Sequence, residues 1–554
     1  MNYLLQISIG PVQDFISAAR RTRDLWFGSM LLGEIAKAVA KSVQTDGGNL
    51  IFPAAADEKE LEKLEGIANI ILAEFDNVDT QKLKSISDKA NIAAKDKLKE
   101  YADKVFTRME RFIVKARYYS QIDDVIEFYS AWVPVDNDYV SARKQVARLL
   151  AARKNLRDFM PNKISDRVPK SSLDGLRESV FIDGLSKEDL EALPQDIKIK
   201  PKESLDAIGL IKRVPTDNKR FRAVGKVALN NWERGKGKKV INDLRRNLHD
   251  FNSLDYDELV DHISWYLGDM YTPEAPYVAF ICADGDKMGA ALSSMTKAVE
   301  HREFSKKLAG FAEQARNEIN KYNGICIYTG GDDVLAFVPL DKAMKCSRAI
   351  HDLFGNIMGE YGASLSVGVS IAHAKEDLGQ LLQFGRDAEK IAKNPDRNGL
   401  AVSVRSRGNI PFTVREQWKN KSVDEEFDLV SIENLAELSL DERLECFAKC
   451  FMKNEIPAKF PYELRENAKF YNKWDNKETL RDAVVNDVLR IFDRKDITLN
   501  KNEKNKISEY IKAKVNNADT IRELAEELIL AQWIGASMSD IQGGDKNEIQ
   551  NNAD

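Results

Sequence analysis

Two adjacent carboxylates, Asp332 and Asp333, follow the glycine pair Gly330 and Gly331 between two apolar runs. Both runs are rich in β-branched and aromatic residues, and a glycine pair between such runs predicts a β-hairpin. A glycine turn lets the backbone approach a ligand closely. Negative charge at the tip of a buried hairpin is unfavourable unless a cation lies beside it. The pattern indicates a hard cation such as Mg²⁺, and a hairpin turn without a ligand is the alternative.

A second acidic stretch, Asp284-Gly285-Asp286, ends the apolar run at 277–283. The residues from Met288 to Ala298 are compatible with a helix, so the order is strand, helix and hairpin. In such a βαββ unit the two acidic stretches lie on neighbouring central strands. Their carboxylates could then share one or two metal ions, as in enzymes of nucleotidyl transfer. The predicted metal ligands are Asp284, Asp286, Asp332 and Asp333.

From about residue 277 to 407, the sequence resembles the palm domain of GGDEF diguanylate cyclases and nucleotide polymerases. The segments that carry this resemblance are Asp284-Gly285-Asp286, Gly330-Gly331-Asp332-Asp333, the strand-like run Ser366 to Ala372, and the helix end with Ala388, Lys393, Arg397 and Asn398. Leu292 stands where the cyclases carry a guanine-reading Asn, and Gly289 stands where they carry a Lys. The resemblance therefore implies adenine rather than guanine as the base. The GGDD form is typical of the large subunit of type III CRISPR effector complexes.

The N-terminal region carries a further resemblance. Residues 1–9 form an apolar run, Gly10-Pro11 breaks it, and Val12 to Val43 is predicted to be one long helix. The segments 9–15 and 19–29 resemble the opening of the first palm-like domain of the type III-B large subunit. Strands are predicted at 49–53, 69–75 and 125–135, and helices at 80–110 and 138–159, which suggests a ferredoxin-like fold. This copy lacks GGDD, so we expect a degenerate palm that packs against the active one.

The predicted fold class is α+β, with two ferredoxin-like palm domains and two mainly helical domains. The 554 residues, 43% hydrophobic and 31% charged, are too many for one ordinary domain. We predict a degenerate palm at 1–180, a basic helical domain at 181–270, the GGDD palm at 271–408 and a helical domain at 409–554.

Two basic stretches are candidates for RNA contact, although the net charge of the whole chain is −5. One is the predicted helix around 141–157. The other is 198–239, where 13 Lys or Arg stand against 4 Asp or Glu. Basic residues at these spacings can follow RNA phosphates, and solvated surfaces with counterions are the alternative. The predicted contacts are Arg153, Arg157, Lys236 and Lys238.

The resemblance implies the large subunit of a type III-B RNA-guided antiviral complex, in which target RNA activates an ATP-dependent cyclase that makes cyclic oligoadenylates. Asp284 with Asp332 or Asp333 would be catalytic, with two Mg²⁺ or Mn²⁺ ions. The residues expected to contact ATP are Gly285, Thr329, Gly330, Gly331 and Lys393. The partners would be the other subunits, guide RNA and target RNA. Conjugation of AMP to S-adenosylmethionine at the same site, or a catalytically silent structural subunit, are the alternatives.

Other features limit the possible functions. Related large subunits often begin with an HD nuclease domain. We expect none here, because palm-like sequence begins at residue 1 and the five histidines show no metal-ligand spacing. The five cysteines show no paired spacing that would support a zinc ribbon or a disulfide framework. No apolar run reaches membrane length, so a cytoplasmic protein without a membrane partner is expected.

Overall fold

The structure is a computed structural model. It describes residues 1–64, 66–135, 138–156, 167–182, 185–194, 196–216, 222–235, 237–248, 251, 254–268, 276–406, 410–419, 435–472, 478–495 and 497–550. For 478–480 and 540–550 only the helical backbone is described.

The N-terminal part contains a four-stranded antiparallel sheet in the order β2-β3-β1-β4. This is the strand order of a ferredoxin-like fold. Its elements are β1 (Tyr3–Gly10), α1 (Gln13–Ser17), α2 (Thr22–Thr45), β2 (Asn49–Phe52), α3 (Glu58–Lys63), β3 (Ile70–Phe75), α4 (Thr80–Met109), α5 (Lys115–Asp123), β4 (Glu127–Pro134) and α6 (Tyr139–Asn155). Alternate residues of β1 face opposite sides of the sheet. Leu5, Ile7 and Ile9 join the core that contains residues of α2 and α4, and Leu4 joins a smaller core with residues of α6.

The single helix predicted from Val12 to Val43 is wrong, because the chain forms α1 and then α2 with a break between them. The carboxylate of Asp24 accepts hydrogen bonds from the backbone N–H groups of Arg20 and Arg21, at 3.1 and 3.0 Å. These bonds cap the first turn of α2 and start a new helix there. Periodicity alone did not reveal the break because apolar spacing continues on both sides of it.

Between the two sheets, the described residues form six short α-helices. They are α7 (Lys187–Ala192), α8 (Ala207–Arg213), α9 (Val224–Ala228), α10 (Asn230–Arg234), α11 (Lys238–Asn247) and α12 (Tyr256–Leu267). α8 brings Lys212 and Arg213, from the basic stretch 198–239, into the interior, where both are buried. Lys226 in α9 is buried as well. Part of the local basic excess therefore serves the fold rather than a surface.

Arg213 lies between two acidic side chains that are as buried as itself. Its guanidinium donates to both carboxylate oxygens of Asp24, at 2.9 and 2.8 Å, and to Glu203 at 3.1 Å. Burial alone would raise the pKa of Asp24, but the charge and hydrogen bonds of Arg213 outweigh that effect and lower it. The motif around Asp24 thus joins α2 to α8 through a buried ion triad.

The second sheet has six strands in the order β10-β9-β8-β5-β7-β6. Its elements are β5 (Tyr277–Asp286), α13 (Met288–Ser294), α14 (Ala298–Lys321), β6 (Ile325–Gly330), β7 (Asp333–Pro339), α15 (Ala343–Met358), β8 (Ser364–His373), α16 (Leu378–Lys393), β9 (Gly399–Arg405) and β10 (Phe412–Gln417). The four strands β8-β5-β7-β6 repeat the ferredoxin-like order, and β9 joins β8 in parallel through α16. The predicted α+β fold with two such sheets is confirmed.

Two predictions at the edges of this sheet need correction. The helix expected from Met288 to Ala298 ends at Ser294, and α14 begins anew because Glu300 accepts from the backbone N–H groups of Thr296 and Lys297. The predicted boundary at 408 divides the antiparallel pair β9 and β10. Beyond it lie α17 (Leu440–Met452), α18 (Phe460–Tyr471), α19 (Glu478–Asp493), α20 (Lys501–Lys514) and α21 (Ala518–Gln550).

The two sheets differ where their second and third strands connect. In the second sheet, β6 and β7 are joined by two residues, Gly331 and Asp332. In the first sheet, the equivalent strands β2 and β3 are joined by residues 53–69, which include α3. Gly66 in that connection lies against the backbone carbonyl of Thr329 in β6. The longer connection of one sheet therefore packs on the hairpin of the other.

Candidate active site

Sheet register brings the two acidic stretches together. β5 lies between β7 and β8, and Ala283 is paired with Val334. The next residue of β5, Asp284, therefore stands beside the preceding residue of β7, Asp333. The Asp284 carboxyl lies close enough to raise the pKa of Asp333. The prediction that the two stretches occupy neighbouring central strands is confirmed by this register.

The turn holds Asp332 against the other acidic stretch. Gly331 adopts a φ of +68°, which glycine tolerates best. The Asp332 side chain lies against Gly285 of that stretch. A Cβ on Gly285 would lie 2.7 Å from Cβ and 2.8 Å from Oδ2 of Asp332. The glycine between the first two aspartates thus makes room for the third, a role that sequence reasoning had assigned to nucleotide contact.

The pKa values of these carboxyl groups show how crowded the negative charge is. Burial, followed by repulsion from Asp284, raises the pKa of Asp332 to about 6. Burial also raises the pKa of Asp333, and its hydrogen bond with Asp284 and the charge of Asp332 add to the increase. The Asp333 side chain is nevertheless exposed to solvent. Ionisation of all three carboxyl groups would therefore place more negative charge in the cluster than its protein neighbours neutralise.

Lys393, at the end of α16, supplies the positive charge nearest to Asp284. Its ammonium contacts an Asp284 carboxylate oxygen and lies 2.7 Å from Oε1 of Glu389. Burial would lower the pKa of Lys393, but hydrogen bonds to the two carboxylates outweigh it and raise the pKa. Glu389 was missed in the sequence, although its i,i+4 spacing to Lys393 is a signal for such a pair.

Two glycines fix α16 against the sheet. A Cβ on Gly368 of β8 would collide with the backbone of α16 at Glu389, and a Cβ on Gly385 of α16 would collide with the ring of Phe280 in β5. Helix and sheet therefore approach more closely than side chains at these positions would permit. This close packing places Lys393 within reach of Asp284.

Asp286 has a different environment from the other three carboxylates. It is fully buried, and its Oδ2 accepts from the hydroxyls of Ser364 and Ser366, at 3.0 and 2.8 Å, and from the backbone N–H of Asn398 at 2.9 Å. Its Oδ1 has no hydrogen bond and lies 3.9 Å from Nη1 of Arg397. Asp286 therefore anchors the loop after α16, and its role as a metal ligand stays a prediction.

The donor set fits a divalent cation. Asp284, Asp332 and Asp333 are hard oxygen donors on adjacent backbone segments, and the raised pKa values of the last two reflect negative charge that a cation would neutralise. Throughout the described residues, no three or more His, Cys, Asp or Glu side chains are already arranged as ligands around one point. Asp284 pairs instead with the Lys393 ammonium.

Two residues expected to contact ATP have structural partners. Thr329 is fully buried, and its hydroxyl accepts from Nη2 of Arg316 at 3.0 Å, so direct contact between this side chain and a nucleotide is not supported. A Cβ on Gly330 would collide with the phenol of Tyr328. Gly330 therefore accommodates Tyr328, a residue that sequence reasoning did not select. Gly331 keeps open space around its Cα, with only Leu308 within 4 Å of a Cβ there.

Two of the four RNA-contact candidates lie among the described residues. Arg153 is exposed near the end of α6, where its guanidinium lies 5.7 Å from the ring centre of Tyr129. Lys238 is exposed at the start of α11. Arg157 and Lys236 lie outside the described residues. The structure thus leaves Arg153 and Lys238 accessible, and their RNA contacts stay predictions.

Comparison with known families accounts for both sheets. The family model described as Cas10/Cmr2, second palm domain, matches residues 277–401, and the one described as CRISPR-associated protein Cmr2, N-terminal, matches residues 4–127. Each of the two sheets thus lies largely in a segment that matches a Cas10/Cmr2 family model. The family predicted from the GGDD and N-terminal motifs is thereby confirmed.

A curated relative and two solved structures are similar to the chain. The relative, CRISPR system Cmr subunit Cmr2 of Pyrococcus furiosus, is 28% identical over 219 residues, which cover 34% of this chain and 24% of that protein. A type III-B Cmr-beta structure bound to cognate target RNA has a TM-score of 0.60 at 14% identity, over 91% of this chain and 80% of that chain. A Csm1-Csm4 cassette in complex with one ATP has a TM-score of 0.50 at 13% identity, over 96% and 70%. The chain thus matches only about a quarter of the curated relative's length, and the likeness to both structures concerns the fold.

None of the described helices has the length and apolar character that crossing a membrane requires.

Proposed function

We propose that the chain is the large subunit of a type III-B RNA-guided complex and that its second sheet carries an ATP-dependent nucleotidyl cyclase. The observation that carries this proposal is the placement of Asp284 beside Asp333, with Asp332 held against Gly285 and Lys393 against Asp284. Three carboxylates and one ammonium at a strand end can bind a nucleotide with its magnesium ions, because carboxylates bind Mg²⁺ and an ammonium contacts phosphate. The ATP complex of a protein with a similar fold supports ATP as the substrate.

The reaction joins a 3′-oxygen of one adenosine to the α-phosphorus of another ATP. The bond between the α-phosphorus and the bridging oxygen breaks, pyrophosphate leaves, and the hydroxyl proton passes to solvent. Repeated transfer followed by ring closure gives a cyclic oligoadenylate. Asp284, Asp332 and Asp333 would hold the two divalent cations, which stabilise phosphate charge and favour ionisation of the hydroxyl.

Lys393 and the turn glycines serve the substrate in this proposal. The Lys393 side chain is 27% exposed beside Asp284, so its ammonium can contact a triphosphate as a point charge. Gly331 leaves room for a nucleotide beside its backbone, because a Cβ built there would meet only Leu308 within 4 Å. Asp286 supports the site by holding the loop that follows Lys393.

The proposed partners are the other subunits of the complex, a guide RNA and a target RNA that activates the site. The fold shared with a Cmr-beta chain bound to cognate target RNA supports this assignment. No observation favours S-adenosylmethionine as an acceptor or a catalytically silent site.

The test is nucleotide turnover by the assembled complex with cognate target RNA, followed by mass spectrometry. ATP should give cyclic adenylates and pyrophosphate, and GTP alone should give no comparable product. A parallel reaction with S-adenosylmethionine identifies a conjugate if one forms. Absence of any adenylate product, or a product that forms equally well with Asp332→Ala plus Asp333→Ala, would contradict the proposed cyclase.

A further inference from the structure

The helices α11 and α12 form a small unit with its own apolar interior. Val240, Ile241 and Leu244 of α11 pack with Leu259 and Ile263 of α12. Since the apolar face of each helix is used inside the unit, the opposite faces point to solvent. The character of those outer faces shows what the unit can bind.

The outer face of α11 is basic. Its ten residues contain a single acidic residue, Asp243, and four exposed basic residues. The basic residues are Lys238, Lys239, Arg245 and Arg246. Arg246 is 80% exposed and lies 3.8 Å from Asp243, so most of its charge is available to another partner. A cluster of this kind attracts a polyanion.

The end of α12 adds aromatic surface beside these charges. Trp265 is 81% exposed, an unusually high value for the largest apolar side chain. Its neighbour Tyr266 donates its hydroxyl to Asp243, the same carboxylate that faces Arg246. The bond fixes the aromatic end of α12 next to the basic face of α11.

We propose that Trp265, Tyr266 and the basic face of α11 form a platform for single-stranded RNA. A π-face beside arginines suits unstacked bases and their phosphates, whereas paired bases inside a duplex present no face for stacking. A protein partner that used an exposed Trp would not require the excess of positive charge on the neighbouring helix α11, where four Lys or Arg stand against Asp243 alone. The inference rests in part on the proposed function, because it presupposes an RNA-binding complex.

The start of α12 is anchored at the end of β5 that is opposite the carboxylate cluster. Tyr256 of α12 packs against His373, with ring centres 5.6 Å apart, and His373 is paired with Tyr277 at the start of β5. Asp284 lies seven residues further along the same strand, about 24 Å from Tyr277 at the rise of an antiparallel strand. The platform and the proposed nucleotide site are therefore built from different elements of the fold.

The experiment measures RNA binding by fluorescence anisotropy, with the full chain and a labelled single-stranded oligouridylate over a series of salt concentrations. Trp265→Ala should weaken binding about five-fold or more, Trp265→Phe should retain most of the affinity, and neither should change duplex RNA binding. Arg246→Ala should lower the salt slope by about 0.7. The matched controls are Phe470→Ala, an aromatic residue that is 76% exposed on α18, and Arg490→Ala, an exposed arginine paired i,i+3 with Asp487.

Three outcomes overturn the platform. One is unchanged single-strand affinity in Trp265→Ala, and another is an equal loss in Phe470→Ala. The third is that Trp265→Ala removes a protein subunit from the assembled complex but leaves RNA affinity unchanged, which would show that the surface is a protein interface. Repeating the measurement in the Asp332→Ala plus Asp333→Ala background separates the two proposals, because RNA binding there does not depend on nucleotidyl transfer.

Discussion

At the scale of single residues, the crowded carboxylates of the hairpin tip stand out. Asp332→Ala plus Asp333→Ala should reduce cyclic product formation on the order of a hundredfold or more, because charge stabilisation at the transferring phosphate is lost. The pair lies on a turn, so its removal opens no core cavity and the complex should still assemble. The measurement is product yield at matched complex concentration. Asp123→Ala plus Asp124→Ala, an adjacent exposed pair at the end of α5, is the matched control.

The raised pKa values of the same residues predict a pH effect on stability. A carboxyl whose pKa is higher in the folded than in the unfolded state stabilises the fold while protonated, and that contribution is lost as pH rises through the folded pKa. For Asp332 the window runs from about 4 to about 6, and for Asp333 it extends further upward. In metal-free buffer, the melting temperature of wild type should therefore fall relative to Asp332→Asn plus Asp333→Asn as pH rises. A constant difference across the window would contradict the raised pKa values.

At the scale of elements, the contact between α16 and β8 determines where Lys393 lies. Gly368→Ala would place a Cβ into the backbone of α16, and overpacking of this kind typically costs about 1–3 kcal/mol. We expect lower unfolding stability and a raised KM for ATP, because the ammonium moves with the helix. Gly355→Ala in α15 is the control, since a Cβ there meets nothing within 4 Å and should stabilise the helix slightly. Equal behaviour of the two variants would show that close helix packing is unimportant here.

The sequence predicted the elements that have strong local signals and left tertiary pairing open. The hairpin at Gly331 and the strand before Asp284 follow from alternation and turn chemistry, and their adjacency follows from the βαββ order. The burial of Arg213 could not be predicted, because its partner Asp24 stands 189 residues earlier in the chain. A basic stretch looks the same in sequence whether its charges face RNA or a buried carboxylate. Glu389 and Tyr328 were missed for the same reason, since their roles depend on what packs beside them.

At the scale of the whole molecule, the buried triad joins the N-terminal sheet domain to the connecting helices. Asp24→Ala leaves Arg213 with one carboxylate in a dry environment and removes the cap of α2. Breaking a buried ion pair in this way typically costs about 3–5 kcal/mol. Denaturant unfolding should show that loss, whereas Asp88→Ala, which removes the exposed Lys84–Asp88 pair, should change stability by less than about 1 kcal/mol. A small effect of Asp24→Ala would mean that water replaces the lost contacts.

The contact between Gly66 and Thr329 gives the N-terminal sheet domain influence over the hairpin. Gly66→Ala pushes a Cβ into the Thr329 carbonyl, whereas Gly175→Ala has a similar positive φ and open space around it. Both variants pay a backbone cost of order 1–3 kcal/mol, but only the first displaces the strand that leads to Asp332. Product formation by the folded Gly66→Ala complex should drop well below that of Gly175→Ala. Equal activities would show that the contact is not transmitted.

In genetic terms, this contact predicts that the N-terminal sheet, which lacks GGDD, is needed for the proposed activity of the second sheet. A screen for alleles that silence signalling without abolishing the protein should recover substitutions at codon 66, far from every acidic codon of the site. Second-site suppressors of such alleles should map to the strand that contains Thr329, where a slight displacement relieves the collision. Such a result would show that the sheet without GGDD is constrained by the hairpin on which it packs.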